Sequence, residues 1–171
     1  MTTVILWSET KIWKEICKLS NVVEISSDQF DTRMAKLFDP MDVLINCISK
    51  ESWDMSYIYD FNVKWNQRMM NIAKIYWAHY IWISTWRIRD WFSGPYYEDS
   101  KSIWDWTEFW NTMCLSENWM EYYNTTIIRW TPTKEIIEYI IKNKIYWKIN
   151  IPGKYKNWNQ NWSLLSNNKL C

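Results

Sequence analysis

The chain has 171 residues, enough for one domain with a sizeable core, and its 20 basic and 19 acidic side chains nearly balance. This balance argues against a general affinity for polyanions, so we expect no nucleic-acid partner. No uncharged apolar stretch is long enough to span a bilayer, and "MTTVILWSETK" lacks a basic leader and a long apolar region. We therefore expect no membrane partner, no secretory signal and a cytoplasmic location.

The cysteines and the single histidine give no sign of a metal site. Cys17, Cys47, Cys114 and Cys171 are scattered, without the close spacing of metal ligands. This pattern favours reduced thiols over zinc ligands or disulfides. His79 has no obvious ligand partner in the sequence, and we expect it only to pack.

The first half of the chain alternates between strand-like and helix-like segments. "TVILW" and "VVEIS" are predicted strands, and "KIWKEICKLS" between them has helical spacing. "DVLINCIS" is an apolar run bounded by polar residues, which is typical of a buried parallel strand. The amphipathic "YDFNVKWNQRMMNIAKIY" then predicts a helix.

The second half continues this alternation. "AHYIWIST" and "TTIIRW" are predicted strands, and "TEFWNTMCLSENW" between them is a predicted helix. "PTKEIIEYIIKNK" predicts a further helix with Pro132 near its start. The tail "KYKNWNQNWSLLSNNKLC" is polar and poorly patterned. Strands that alternate with helices predict an α/β fold whose parallel sheet is covered on both faces.

The composition has one anomaly, which is its 16 Trp and 2 Gly. A domain of ordinary composition and this length has roughly a dozen glycines. Several Trp lie where glycine is favoured: Trp77 between a predicted helix and strand, Trp119 at a predicted helix end, and Trp147 in the turn-like "IYWKIN". Our hypothesis is that many Trp letters stand for UGA codons that the organism reads as glycine. The alternative is that the indoles are real and form a core or a Trp-rich binding face.

Segments over residues 3–131 match, in order, the motifs of one family. The turn "WSETKIWKE" matches G-x-x-G-x-x-G, and "DVLINCIS" matches a strand that ends in Asn and small residues. The remaining matches are "FNVKWNQRMMNIAKI" with N-v-x-G-t-x-x-l-A, "WAHYIWISTWRIRDW" with G-A-x-x-I-x-I-S-T-D-x-V-F-D-G, "GPYYEDS" with P-Y-x-E-x-D, "FWNTMCLSE" with Y-G-x-T-K-x-x-x-E, and "TIIRWT" with I-I-R-T-S. By these segments the chain resembles the extended short-chain dehydrogenase/reductases of the dTDP-4-dehydrorhamnose reductase-like, sugar-nucleotide-binding type, with Trp at many family Gly positions.

The resemblance implies a Rossmann-like doubly wound parallel sheet with helices on both faces. Residues 1–131 would form an NAD(P)-binding domain, and residues 132–171, a helix and a poorly patterned tail, would be the remnant of a truncated or degenerate substrate-binding part. NADPH or NADH would lie beside the first strand–helix turn, with its pyrophosphate at a helix N-terminus. By resemblance, the cofactor-binding positions are Trp7, Thr10, Lys11, Ile12, Trp13, Asp31, Cys47, Ile48 and Ser49. Indoles at Trp7 and Trp13 would fill the space that the pyrophosphate needs.

The resemblance also implies hydride transfer from NAD(P)H to a 4-keto sugar nucleotide. In this family a Ser or Thr hydrogen-bonds the keto oxygen, a Tyr donates the proton, and a Lys four residues later lowers the pKa of that Tyr and holds the ribose. Thr85 keeps the first of these roles, whereas Phe109 and Met113 stand at the Tyr and Lys positions, and Trp86 replaces an Asp beside the substrate. Phe has no proton to donate, and Met has neither a charge nor a strong donor. Because a general acid is typically worth about 10²–10⁴-fold in rate, we expect weak or no activity.

Three function hypotheses follow. The first is an NAD(P)-dependent oxidoreductase, weakly active at best, and the second is a non-catalytic relative that binds a nucleotide or a partner chain as a regulatory or scaffold subunit. The third is a Trp-rich carbohydrate-binding module, favoured only if the indoles are real and exposed. The partner implied by the resemblance is a sugar nucleotide, and a homodimer stays open.

Overall fold

The structure, a computed structural model, describes residues 1–7, 16–19, 21–26, 39–48, 54–84, 108–120, 122–129 and 132–150. Its centre is a six-stranded sheet in the order β2-β1-β3-β4-β5-β6, with every neighbouring pair parallel. The strands are β1 (Thr3–Trp7), β2 (Val22–Ser26), β3 (Val43–Asn46), β4 (His79–Ser84), β5 (Thr125–Arg129) and β6 (Lys148–Asn150). The predicted parallel sheet is therefore confirmed.

Three helices accompany the sheet within the described ranges. Helix α1 runs from Met55–Tyr59 through a π-helical segment, Asp60–Trp65, into Asn66–Ile75. Helix α2 spans Glu108–Asn118, and helix α3 spans Lys134–Asn143. Helices α2 and α3 lie within segments where the residue spacing predicts helices. Helix α1 begins at Met55, before the predicted segment 59–76, and the spacing did not indicate its π-helical part.

Side chains of the central strands alternate between two apolar layers, as the two-residue period of a strand requires. In β4, Tyr80 and Trp82 pack beneath α1 and α2, while Ile81 and Ile83 pack beneath α3 on the opposite face. Every residue of β4 is buried, which explains why its sequence is a continuous apolar run. Helices thus cover both faces of the sheet, and the predicted doubly wound architecture is confirmed.

Two residues after the last residue of helix α1, Trp77 has a left-handed backbone conformation, with φ of 57°. The Ala78 amide donates to the Ala73 carbonyl at 2.9 Å, and the Trp77 amide donates to the Lys74 carbonyl at 3.2 Å. These two bonds form a Schellman motif, whose left-handed position is usually occupied by glycine. The prediction that residue 77 occupies a helix end favouring glycine is confirmed, and its indole is 73% exposed.

The described Trp residues differ sharply in their surroundings. Trp82 is fully buried in β4. Its Nε1 has no hydrogen-bond partner among the described residues. Trp119 follows α2 and is 43% exposed, and Trp147 precedes β6 and is 62% exposed. Trp82 therefore fills space in the core as an indole should, whereas the other two lie at turns.

His79 makes a hydrogen bond as well as packing contacts, whereas the sequence predicted packing alone. It is buried at the start of β4, and its Nε2 lies 2.7 Å from the Thr126 hydroxyl. Its ring meets the ring of Tyr146 edge-on, with centroids 4.7 Å apart. Burial lowers the pKa of His79 to about 4, so the ring is neutral near neutral pH.

The C-terminal part of the described chain extends the same sheet. The sequence did not predict β6, because three residues are too few for a recognisable period, but Ile127–Arg129 pair with it. Residues 132–150 thus supply a helix and an edge strand to the sheet, while residues 151–171 lie outside the described ranges. The division of the chain at residue 131 stays a prediction. Across the described helices, none has the length and apolar character needed to cross a bilayer.

Candidate functional site

The strand order places a topological switch point between β1 and β3. The chain leaves β1 to form β2 on one side, and then returns to form β3 on the other. In open α/β sheets, ligands bind outside the carboxyl ends of the strands at such a point. Trp7 is the last residue of β1, and Cys47 and Ile48 directly follow β3, so three predicted cofactor positions lie at this edge.

The backbone after β3 is held by a buried asparagine. The Asn46 side-chain oxygen accepts the Ile48 amide at 3.0 Å, and the Cys47 amide donates to the Leu6 carbonyl at 2.8 Å. The Asn46 amide nitrogen donates to the Tyr80 hydroxyl at 2.9 Å and to the Asn66 side-chain oxygen at 2.9 Å. The backbone of Cys47 and Ile48 is therefore held in place by hydrogen bonds to β1 and to the Asn46 side chain, which is itself bonded to α1 and β4.

Cys47 and Ile48 are themselves buried, at 3% and 2% exposure. Burial, with a smaller contribution from Cys17, raises the pKa of the Cys47 thiol, which makes it a poor nucleophile. The role of Cys47 and Ile48 in cofactor binding stays a prediction.

A polar seam joins α1 to α2 next to this edge, formed by Asn62, Asn66, Thr112 and Ser116. Asn62 donates to the Thr112 hydroxyl at 3.1 Å, and one turn later Asn66 donates to the Ser116 hydroxyl at 2.5 Å. All four side chains are buried. Asn62 lies in the π-helical segment, and such segments occur frequently at functional sites.

The polar seam was missed by the sequence analysis, although a signal was present. Asn62 and Asn66 lie four residues apart on the apolar side of an amphipathic helix, and Thr112 and Ser116 have the same spacing on the next helix. Polar residues repeated at one helical turn on a buried face predict hydrogen-bonded partners, because an unpaired buried polar group is costly. Tyr80 extends the seam by donating its hydroxyl to the Asn66 side chain. Burial raises the pKa of Tyr80, so its hydroxyl stays protonated near neutral pH and remains a hydrogen-bond donor.

A buried ion pair between Glu117 and Arg129 lies at the carboxyl ends of β4 and β5. Arg129 donates from Nη2 to Glu117 Oε2 at 2.6 Å, and from Nε to both carboxylate oxygens at 3.0 Å. The Ser84 hydroxyl donates to Glu117 Oε1 at 2.8 Å, and Lys148 Nζ lies 3.8 Å from Oε2. Both members of the Glu117–Arg129 pair have fully buried side chains.

The predicted catalytic positions are partly located. Phe109 and Met113 lie one turn apart on α2, and Met113 packs in the apolar core at 2% exposure. Thr85 directly follows Ser84, the last residue of β4, but lies beyond the described ranges. The other predicted positions outside those ranges are Thr10, Lys11, Ile12, Trp13, Asp31, Ser49 and Trp86. The structure thus brings α2 and the end of β4 to one edge and leaves the roles of these residues untested.

Whether the residues of this chain fit a dinucleotide depends on the turn that follows β1. Trp7 ends β1 at the switch point, where the fold requires close approach of the pyrophosphate to the backbone. A residue without a side chain is favoured where a backbone approaches a ligand closely, and residues 8–13 of this turn lie outside the described ranges. That a dinucleotide fits this turn with glycine at positions 7 and 13, and not with indoles there, stays a prediction. Among the described residues, no cluster of three His, Cys, Asp or Glu side chains could hold a metal ion.

The sheet is parallel, has the strand order 2-1-3-4-5-6, is covered on both faces and has its switch point between β1 and β3. These features define the class of Rossmann-like folds. No protein-family model matches the sequence, and no curated protein matches it. Solved structures do match the fold, and they include dTDP-4-dehydrorhamnose reductases.

A hypothetical dTDP-4-dehydrorhamnose reductase from Sulfolobus tokodaii superposes with a TM-score of 0.76 at 14% identity, over 90% of this chain and 77% of that one. The enzyme from Clostridium acetobutylicum gives a TM-score of 0.75 at 16% identity, over 91% and 75%. The enzyme from Bacillus anthracis, solved in complex with NADP, gives 0.76 at 10% identity, over 91% and 76%. At these identities the likeness establishes the fold, and the predicted resemblance is confirmed at that level.

Proposed function

We propose that the chain, when it carries glycine at positions 7 and 13, binds a nicotinamide dinucleotide at the switch point between β1 and β3. We further propose that it is a relative of the NAD(P)-dependent reductases of 4-keto sugar nucleotides in which catalysis is weak or lost. The observation that carries the proposal is the switch point itself, with Asn46 fixing the Ile48 backbone beside it. Support also comes from the similar fold of the NADP complex from Bacillus anthracis.

The proposed cofactor site requires glycine at positions 7 and 13. Glycine at both positions lets backbone N–H groups approach the pyrophosphate, as the turn after the first strand does in this fold. Thr10 offers a hydroxyl to a phosphate but keeps a Cβ where the family has its middle glycine. The remaining proposed contacts are Lys11, Ile12, Asp31, Cys47, Ile48 and Ser49.

The proposed catalytic deficit lies on α2. Thr85 can hydrogen-bond a keto oxygen, and Trp86 would lie beside a sugar nucleotide, but Phe109 offers no proton. Met113 packs in the apolar core, where a charged side chain would be penalised. This burial favours the second candidate function, which is nucleotide binding without turnover.

Three chains test the proposal: the unaltered protein, Trp7→Gly/Trp13→Gly, and the same double variant with Phe109→Tyr. NADPH binding is followed by its fluorescence, and turnover by oxidation of NADPH with a dTDP-4-keto-6-deoxy sugar. We expect the glycine-bearing chains to bind NADPH and the unaltered chain not to bind it. We expect Phe109→Tyr to raise turnover by about 10²–10⁴-fold if the rest of the site is intact.

Each result separates the candidate functions. Absence of NADPH binding by the glycine-bearing chain would overturn the cofactor site. Binding without turnover, even after Phe109→Tyr, would leave the non-catalytic function. Phe109→Tyr is preferred to Met113→Lys as the first gain-of-function change, because a lysine at the buried position 113 also threatens folding. Thr85→Ala in the same background is the matched control, and we expect it to remove any turnover gained without changing NADPH binding.

A further inference from the structure

We propose that Glu117 is a positioning residue that fixes helix α2, which carries positions 109 and 113, against the carboxyl ends of β4 and β5. The group is called here the Glu117 clamp and consists of Ser84, Glu117 and Arg129. Its effect on turnover rests on the proposed function, whereas its effect on the structure does not.

One carboxylate ties together three elements in the clamp. Glu117 is on α2, Ser84 is the last residue of β4, and Arg129 is the last residue of β5. Oε1 accepts from Ser84 at 2.8 Å, and Oε2 accepts from Arg129 Nη2 at 2.6 Å. The planar guanidinium with two nitrogens on one carboxylate fixes orientation as well as distance.

The clamp reaches the proposed catalytic positions from two sides. Ser84 is joined by one peptide bond to Thr85, so the bond from its hydroxyl restrains the strand end from which Thr85 departs. Glu117 is four residues after Met113 and eight after Phe109, on the same helix. A shift of α2 along its axis would therefore move positions 109 and 113 relative to the end of β4 at Ser84.

A contribution to folding stability does not by itself explain why a charged pair is buried in the clamp. Replacement of a buried ion pair by apolar residues of similar volume is often neutral or stabilising, so a pair such as Glu117–Arg129 is weak evidence of a purely stabilising role. Buried charge pairs do fix orientation, and at this site they fix the helix that bears the proposed chemistry. Lys148, 3.8 Å from the same carboxylate and partly exposed, adds a second positive charge on the solvent side.

The test uses the Trp7→Gly/Trp13→Gly/Phe109→Tyr chain as parent, with Ser84→Ala and Ser84→Thr as a matched pair. Ser84→Ala removes only the hydroxyl, and Ser84→Thr retains it. We expect Ser84→Ala to lower kcat at least tenfold, since a misplacement of about 1 Å can cost roughly 100-fold. We expect KM and the NADPH dissociation constant to stay within about twofold, and Ser84→Thr to restore kcat. Unchanged kcat in Ser84→Ala would overturn the proposal.

A second comparison separates positioning from folding. Glu117→Leu/Arg129→Met removes the whole clamp without leaving a buried charge, and we expect it to melt near the parent but to lose kcat as Ser84→Ala does. Full kcat in this variant would also refute the positioning role.

Amide hydrogen exchange tests the clamp without any measurement of turnover. We expect amides of residues 82–84 and 115–118 to exchange at least tenfold faster in Ser84→Ala than in Ser84→Thr, in the unaltered chain as well as in the parent. If the parent does not oxidise NADPH, the proposed function fails on its own, and the exchange rates still decide the clamp. Equal exchange rates in the two variants would contradict it.

Discussion

Replacement of Trp77 by glycine and by alanine tests whether the backbone at the end of α1 demands a residue without a side chain. Both substitutions remove the same indole, which is 73% exposed and meets the ring of Tyr123 edge-on at 6.3 Å. They differ only in the Cβ. At φ of 57° a Cβ crowds the following carbonyl oxygen, whereas glycine adopts this conformation freely.

The expected difference follows from two opposing terms. A left-handed residue with a Cβ costs roughly 1–2 kcal/mol, and glycine loses roughly 0.5–1 kcal/mol more backbone entropy than alanine on folding. Trp77→Gly should therefore be more stable than Trp77→Ala by about 1 kcal/mol. For a chain of this size, that difference corresponds to a Tm higher by about 2–4 °C. Loss of the ring contact with Tyr123, about 0.5–1.5 kcal/mol, is common to both variants and cancels.

Trp82 provides the opposite control, because it is fully buried in the middle of β4. Both of its substitutions should cost about 3–5 kcal/mol or more, and glycine should be worse than alanine by roughly 0.5–1 kcal/mol. Thermal melts followed by circular dichroism measure both pairs. A Trp77→Ala variant as stable as Trp77→Gly would refute the argument that position 77 is a glycine position.

Three further predictions concern the buried polar groups. Glu117→Gln should destabilise the fold by about 3–5 kcal/mol in chemical denaturation, because Arg129 keeps a buried charge without its full counter-charge; a loss under 1 kcal/mol would contradict this. His79 should make stability pH-dependent: its pKa falls from 6.5 to about 4 on folding, so stability is full above pH 6.5 and falls by up to about 3 kcal/mol as the pH drops towards 4. A His79→Gln variant with the same pH slope would exclude His79 as the cause. Tyr80→Phe should cost about 1–3 kcal/mol, because the Asn46 amide then loses a partner; an unchanged unfolding midpoint would show that the bond is dispensable.

The sheet could be predicted from the sequence because the central strands are continuous apolar runs. β3 and β4 are buried on both faces, so residues 43–45 and 80–83 are apolar without alternation and the signal does not depend on register. The amphipathic periods of α1 and α3 were equally clear. The short strand β6 could not be predicted, since three residues carry no period and its pairing with β5 is a tertiary contact.

The site was only partly predictable. The motif spacing indicated positions at the carboxyl edge, and the structure places Trp7, Cys47 and Ile48 there. What sequence spacing could not give is which polar residues meet. Asn46 and Asn66 are twenty residues apart, and their bond depends on the packing of α1 on the sheet.

The Glu117 clamp illustrates the same limit. Glu117 falls on the final E of the matched Y-G-x-T-K-x-x-x-E, and Arg129 on the R of I-I-R-T-S, but motif spacing does not show that the two side chains meet. Their complete burial follows only from the packing of α2 over β4 and β5. Charged residues are rarely fully buried unless they are paired, so this partnership could be recognised only from the fold.

The dissociation constant for NADPH of the Trp7→Gly/Trp13→Gly chain, compared with that of the unaltered chain, tests the central claim most directly. If the switch point between β1 and β3 is a dinucleotide site that only a side-chain-free turn can open, the glycine-bearing chain binds NADPH at least a hundredfold more tightly. Equal affinity in the two chains, or no binding by either, would contradict the claim.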